Sequence, residues 1–369
     1  MRPWLSIPAI GLCCAFTAAS AQRYTVTDLG VLPNYRYGVT YPAAINEAGQ
    51  VTGASISNFA VAPGVPTPEA FLYSDGEMTA LSGINSNGYA ITGDPRDRDE
   101  DRRKLRVAGY AQFAPAPPHA FLYEDHLLRD LGTLPGGNES GANAVNSLGE
   151  VAGSSFNGDG VIVAFLYRHG NMISLGIPPG GIGSTAYGIN NWGDVTGSVM
   201  MPELINQAFL YHDGKMIGLG TLPGATGSDA TAINDAVEIT GRSYSSNFQF
   251  EHAFLWSKGK MIDLGVLPNG TTSEANSINA WGQVVGGATV NSSPYPTTVA
   301  FLYSDGKMRD LNDMIAANSG WVLFDATGIN NRGQIVGTGT LNGVLDGFLL
   351  SPNCGDPINS DSGFCRHER

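Results

Sequence analysis

Residues 252–270 read HAFLWSKGKMIDLGVLPNG, residues 119–137 read HAFLYEDHLLRDLGTLPGG, and residues 300–311 read AFLYSDGKMRDL. The same wording returns along the whole chain. The motif phenylalanine falls at Phe71, Phe121, Phe165, Phe209, Phe254 and Phe301, with a degenerate Gly347-Phe348-Leu349 at the end. The intervals are 50, 44, 44, 45, 47 and 47 residues. Repetition at that period marks a propeller, solenoid or array, in which one small unit recurs because it cannot bury its own faces.

Each unit divides into four short strands. The first is the apolar run A-F-L-Y, as in Ala208 to Tyr211, expected where both faces are covered. A two-residue turn follows: Asp75-Gly76, Asp213-Gly214 and Asp305-Gly306, with His169-Gly170 and Lys258-Gly259 as variants. Such pairs tolerate the positive φ angles of a tight hairpin. The second strand is K-M-I-D-L-G (Lys260 to Gly265), and a third, A-x-x-I, ends in Asn-x-x-Gly. That turn recurs at Asn146, Asn190, Asn279 and Asn330, and V-x-G is the fourth strand. The fifth unit carries Val237 where Gly is expected, which predicts a different turn there. In the second unit, Tyr89–Thr92 and Val107–Gly109 are assigned to the third and fourth strands, leaving Asp94 to Lys104 as a charged hairpin tip.

Four strands in about 45 residues is the size of a propeller blade. The chain ends complement each other: the first unit starts at Thr25 with TVTDLG, and the last strand, GFLLSP, has no successor. Laying 347–352 beside 25–30 completes a seventh unit and removes the exposed sheet edges. The expected fold is therefore all-β, a seven-bladed β-propeller over residues 22–352, closed by pairing of the N- and C-terminal strands.

Residues 1–21, with Arg2, an apolar run and Ala19-Ser20-Ala21, have the build of a secretory signal peptide. Cys354 and Cys365, ten residues between them, are the two remaining thiols, and in an exported chain they are expected to form a disulfide in the tail 353–369. Such a loop contributes about 3 kcal/mol. The formal charge is −13, which disfavours nucleic-acid partners, and after signal removal no stretch is long enough to insert in a membrane. A monomer is expected.

The combined A-F-L-Y, D-L-G-T-L-P-G-G and I-N-x-x-G-x-V-x-G wording, with His119-Ala120-Phe121 and His252-Ala253-Phe254 as literal instances, resembles the bacterial "HAF" extracellular repeat family. The resemblance covers nearly all of the chain after residue 21. It implies an exported bacterial protein, secreted or periplasmic, and brings no catalytic residues.

Chemistry is sparse. The chain has no phosphate-binding loop, zinc helix or nucleophile elbow, and no cofactor or metal is expected. The acids Asp28, Asp130, Asp263 and Asp310 share one position in the second strand. They are expected to bond neighbouring backbone amides; the competing expectation is a carboxylate cluster in a central channel. Loop lengths say more. The longest loops and linkers belong to the first, sixth and seventh units, which are neighbours in a closed ring, and they lie on one face. That sector offers Tyr35, Arg36, Tyr37, Tyr41, Phe59, Tyr295, Trp321 and Phe324, of which Tyr35, Arg36, Tyr37, Phe59, Tyr295 and Trp321 are the candidate ligand-binding residues. Two functions follow: a non-catalytic binding or scaffold propeller recognising a protein or glycan through those loops, or a propeller enzyme cleaving polysaccharide with Asp130 and Asp263 near the channel.

Overall fold

The computed structural model describes residues 23–33, 35, 38–57, 68–81, 86–93, 99–113, 117–247, 250–291 and 296–353. The signal segment 1–21 and the Cys354–Cys365 pair lie outside the described residues. The strands form seven four-stranded antiparallel sheets around one axis, a seven-bladed β-propeller. Among the described residues, helix is confined to Glu100–Arg103 and a 3-10 turn at Leu311–Met314.

Each blade begins at the axis with its A-x-x-I strand and proceeds outward through V-x-G, A-F-L-Y and D-L. The innermost strands are Gly38–Ile45, Ser86–Thr92, Ser140–Val145, Gly183–Ile189, Gly227–Ile233, Gly270–Ile278 and Trp321–Ile329. Each touches its counterpart in the next blade, and the last returns to the first. Closure is as the chain ends implied: Tyr24–Asp28 lies antiparallel to Val344–Pro352, from Tyr24 opposite Pro352 to Asp28 opposite Phe348.

The repeated words acquire physical roles here. The seven motif phenylalanines are at most 1% exposed and pack between blades. Burying such a ring stabilises by about 1.5–3 kcal/mol, so this column dominates the core. Beside it, the amide of the motif alanine donates to a serine Oγ in the next blade's innermost strand, as from Ala120 to Ser140 (2.8 Å) and Ala208 to Ser228 (3.0 Å). That hydroxyl in turn donates to the glycine carbonyl after the D-L strand, Gly132 or Gly220. Apolar faces hold neighbouring blades together, and these paired bonds fix their register.

On the opposite face, each Asn-x-x-Gly turn is built around its asparagine. Asn279 Oδ1 accepts from the amides of Trp281 (3.1 Å) and Gln283 (3.0 Å), while Nδ2 donates to Asn330 O of the next blade (3.1 Å). The same inter-blade bond runs from Asn146 to Asn190, Asn190 to Asn234, Asn234 to Asn279 and Asn330 to Asn46. Blade 2 has Thr92 at this position, and Arg106 takes over: its Nη1 donates to Ser147 O (2.8 Å) while Glu124 holds the guanidinium.

Two sequence expectations change. The turn of blade 5 does not differ from the others: Asn234 N donates to Glu238 O and Val237 N to Asn234 O, and Val237 adopts φ 57° where the others place Gly. The asparagine sets the turn strongly enough to force the residue. In blade 2 the strands Ser86–Thr92 and Arg106–Gln112 pair as expected, but part of the charged tip is the helix Glu100–Arg103.

Candidate functional site

Every innermost strand carries a break in register, and the extra residue turns toward the axis. These residues are Ala43, Tyr89, Asn143, Tyr187, Thr231, Asn276 and Thr327, and together they line one axial cavity of about 620 Å³. The residue at each bulge varies while its neighbours repeat. The polar ones still serve the fold. Asn143 Nδ2 donates to Ala186 O (2.8 Å), Thr231 Oγ1 to Ala275 O (2.7 Å), Asn276 Nδ2 to Ala326 O (3.0 Å) and Thr327 Oγ1 to Pro42 O (2.8 Å), each in the next blade. Tyr89 packs on Tyr110 of its own blade (ring centroids 5.7 Å apart) and Tyr187 hydrogen-bonds Ser198 and Thr185, yet Tyr41, Tyr89 and Tyr187 line the same cavity and are 39%, 41% and 37% exposed.

The wall is chemically lopsided. In blades 5, 6 and 7 the residue preceding the strand alanine is Asp229, Glu274 and Asp325. Glu274 and Asp325 line a recess of about 480 Å³ that shares Asn276 with the channel. Arg242 spans it, pairing with Asp229 (3.2 Å), Glu251 (3.0 Å) and Glu274 (3.2 Å), and lies over the Tyr244 ring at 5.4 Å. Burial raises the Glu274 carboxyl above its ordinary pKa, against the pull of Arg242. Burial likewise raises Asp325, whose Oδ1 accepts from Asn276 Nδ2 at 2.8 Å. Because innermost strands start on the loop-bearing face, these carboxylates lie toward that end of the channel.

The acids singled out by the repeat are elsewhere. Asp28, Asp130, Asp263 and Asp310 sit on outermost strands, at the rim, so the competing expectation of a carboxylate cluster in the channel is corrected. Each instead accepts the amide two residues on, as at Gly132 (2.7 Å) and Gly265 (2.7 Å). Asp130 and Asp263 also hold His119 and His252, both at 3.0 Å, which gives the motif histidine a structural role. Asp130 and Asp263 are thus withdrawn as channel carboxylates of a polysaccharide-cleaving enzyme.

Of the loop residues, Arg36, Tyr37, Phe59 and Tyr295 lie outside the described residues. Tyr35 packs against the blade 1 core and donates its hydroxyl to Glu69 Oε2 (3.0 Å); burial and that carboxylate push its pKa up to about 12. Trp321 is corrected outright: it is 8% exposed and packs edge-on to Phe348, with centroids 6.1 Å apart. The long connection before it spends its length on a 3-10 turn that buries Leu311, Met314 and Ile315 in the closing blade. Tyr41, exposed at the axis, remains open to a ligand, and Phe324 of the same sector is partly exposed.

The opposite face, where the turns are short except at the blade 2 tip, also presents apolar side chains. Its turn tips carry Trp192 (70% exposed), Trp281 (51%) and Leu148 (51%). Both indole N–H groups are pinned to the next blade's turn, Trp192 to Asp235 O and Trp281 to Asn331 O, each at 3.0 Å. Among the described residues no group of three His, Cys, Asp or Glu is placed to hold a metal, and no helix is long and apolar enough to cross a membrane.

Comparison with known proteins adds the fold and little more. Residues 181–344 match a family described as "Protein of unknown function (DUF3466)", less than half of the chain. No curated protein matches. The chain is structurally similar to a putative TolB from Agrobacterium tumefaciens (10% identity, TM-score 0.45), covering 74% of this chain and 93% of that one. It is similar to the propeller domain of the Trilobed protease from Pyrococcus furiosus (10%, TM-score 0.40; 76% and 98% covered). A Mycobacterium tuberculosis puromycin-hydrolyzing peptidase reaches TM-score 0.52 at 9% identity, but the match covers 87% of this chain and half of that one. At these identities the likeness is one of fold, and the HAF-repeat resemblance rests on the motifs themselves.

Proposed function

We propose that this chain is a non-catalytic binding propeller of the HAF-repeat kind, exported to the periplasm or beyond, that receives a protein or glycan ligand on its loop-bearing face. The observation that carries the reading is the axial cavity, which Tyr41, Tyr89 and Tyr187 of three blades line while each stays more than a third exposed. Exposed rings on a rigid scaffold favour recognition, because little freedom is lost when a ligand stacks on them. Arg36, Tyr37, Phe59 and Tyr295 are proposed as contacts from the surrounding loops.

The test is a protein and glycan binding array on the chain lacking residues 1–21, followed by titration of any hit against Arg36→Ala and Phe59→Ala. Each substitution is expected to weaken binding by about tenfold, near 1.4 kcal/mol, with an unchanged melting temperature. Undiminished binding in both variants would exclude the loops. A second reading, cleavage of polysaccharide, is favoured by one observation: Glu274, held towards its protonated form, faces the recess beside the channel with Asp325. Turnover on a polysaccharide panel that Glu274→Gln abolishes would replace the first reading.

A further inference from the structure

We propose that the axial channel binds an uncharged carbohydrate, its sugar rings stacked on Tyr41, Tyr89 and Tyr187 and its hydroxyls directed at the acceptor wall of blades 5 to 7. The inference rests on the binding reading above and names the ligand class. Its first support is the tyrosine placement. These rings stand at the axis, on blades 1, 2 and 4, and are left more than a third exposed by a fold that buries its seven motif phenylalanines. Exposed aromatic faces suit the C–H side of a pyranose.

The second support is the polarity of the remaining wall. Thr231, Asn276 and Thr327 of blades 5 to 7, like Asn143 of blade 3, spend donors on the next blade's carbonyls, which leaves their oxygen lone pairs to offer a ligand. Glu274 and Asp325, in the adjoining recess, add carboxylate acceptors. A wall rich in acceptors calls for a ligand rich in donors that carries no negative charge, and a neutral sugar meets both conditions. Asp229, Glu251 and Glu274 already share Arg242, and Asp325 takes an amide donor from Asn276, so these carboxylates are matched internally and do not demand a cation. The volume, about 620 Å³, lies within the range of small-molecule sites.

The experiment uses the chain lacking residues 1–21 and three probes: short neutral gluco-, manno- and galacto-oligosaccharides, their uronic acid counterparts, and a lysine-rich peptide. Calorimetric titration is expected to show a neutral oligosaccharide binding at least about tenfold more tightly than its uronic counterpart. Tyr41→Ala and Tyr187→Ala should each weaken it about tenfold. Ala43→Trp, which fills the channel at a bulge where no side-chain bond is lost, should abolish binding while circular dichroism and the melting temperature stay unchanged. Neutral-sugar binding that survives Ala43→Trp overturns the proposal, as does binding of the peptide or uronic acids alone. If no sugar binds but an array protein does, through Arg36 or Phe59, the channel inference fails and the binding reading stands. If nothing binds on either face, both fail.

Discussion

Val237 is a β-branched residue held at φ 57°, in a turn where other blades use Gly49, Gly149, Gly193, Gly282 and Gly333 at φ 71–86°. A left-handed backbone costs such a residue about 1–3 kcal/mol, offset here by partial packing of its side chain on the blade 5 core. Val237→Gly is therefore expected to stabilise the protein by about 1 kcal/mol, read as a higher urea midpoint at unchanged slope. A fall in stability would mean the packing outweighs the strain. The sequence exposed the anomaly without its meaning, since a missing glycine is equally compatible with a changed turn or a strained one. What decides is that Asn234 Oδ1 receives the amides of Ala236 (3.0 Å) and Glu238 (2.9 Å), a lock visible only in three dimensions. Trp321 teaches the same at larger size: an aromatic on a long loop has the composition of a contact residue, yet the loop's extra length folds inward to bury it.

At the scale of the element, the Asn-x-x-Gly hairpin is turn and blade joint at once. Asn279→Ala would remove the oxygen that accepts two turn amides and leave the buried carbonyl of Asn330 without that donor, a loss of about 2–4 kcal/mol. Asn279→Asp keeps the acceptors and loses only the Nδ2 donations to Asn330 O and Gln283 Oε1, so guanidinium denaturation should place it between wild type and Ala. Equal losses would show that the inter-blade bond carries the effect. The strands themselves were legible, because each has its own word and each turn its own chemistry. Which strand faces the axis was not. A ring has no first position, and the period alone cannot say whether D-L or A-x-x-I is innermost, so the recurring acids of D-L were open to a channel reading. The channel residues, in the variable x of A-x-x-I, looked like noise because the bulge that turns them to the axis is written in the strand pairing and not in the repeat.

The whole molecule depends on the seam where strand Tyr24–Asp28 completes the seventh sheet, and Asp346 lies at that seam. Its Oδ1 accepts from the Gly347 amide at 2.8 Å, and Thr40 of blade 1 and Asp28 of the N-terminal strand are close enough to affect it. Burial, with the like charge of Asp28, raises its pKa from 3.8 to about 6. An acid whose folded pKa lies above its unfolded value holds more protons when folded. Its penalty is therefore absent below pH 3.8, grows as pH rises, and is complete above about 6. A shift of that size corresponds to roughly 3 kcal/mol, and solvent screening of this half-exposed group reduces it to about 1 kcal/mol. Asp346→Asn keeps an oxygen for the amides and removes the charge. Urea unfolding at pH 7.5 should show the variant more stable by about 1 kcal/mol, and at pH 4 the two proteins should coincide. An equal gain at both pH values would trace the effect to packing, and no gain at pH 7.5 would show that the closed ring holds this carboxylate at no cost.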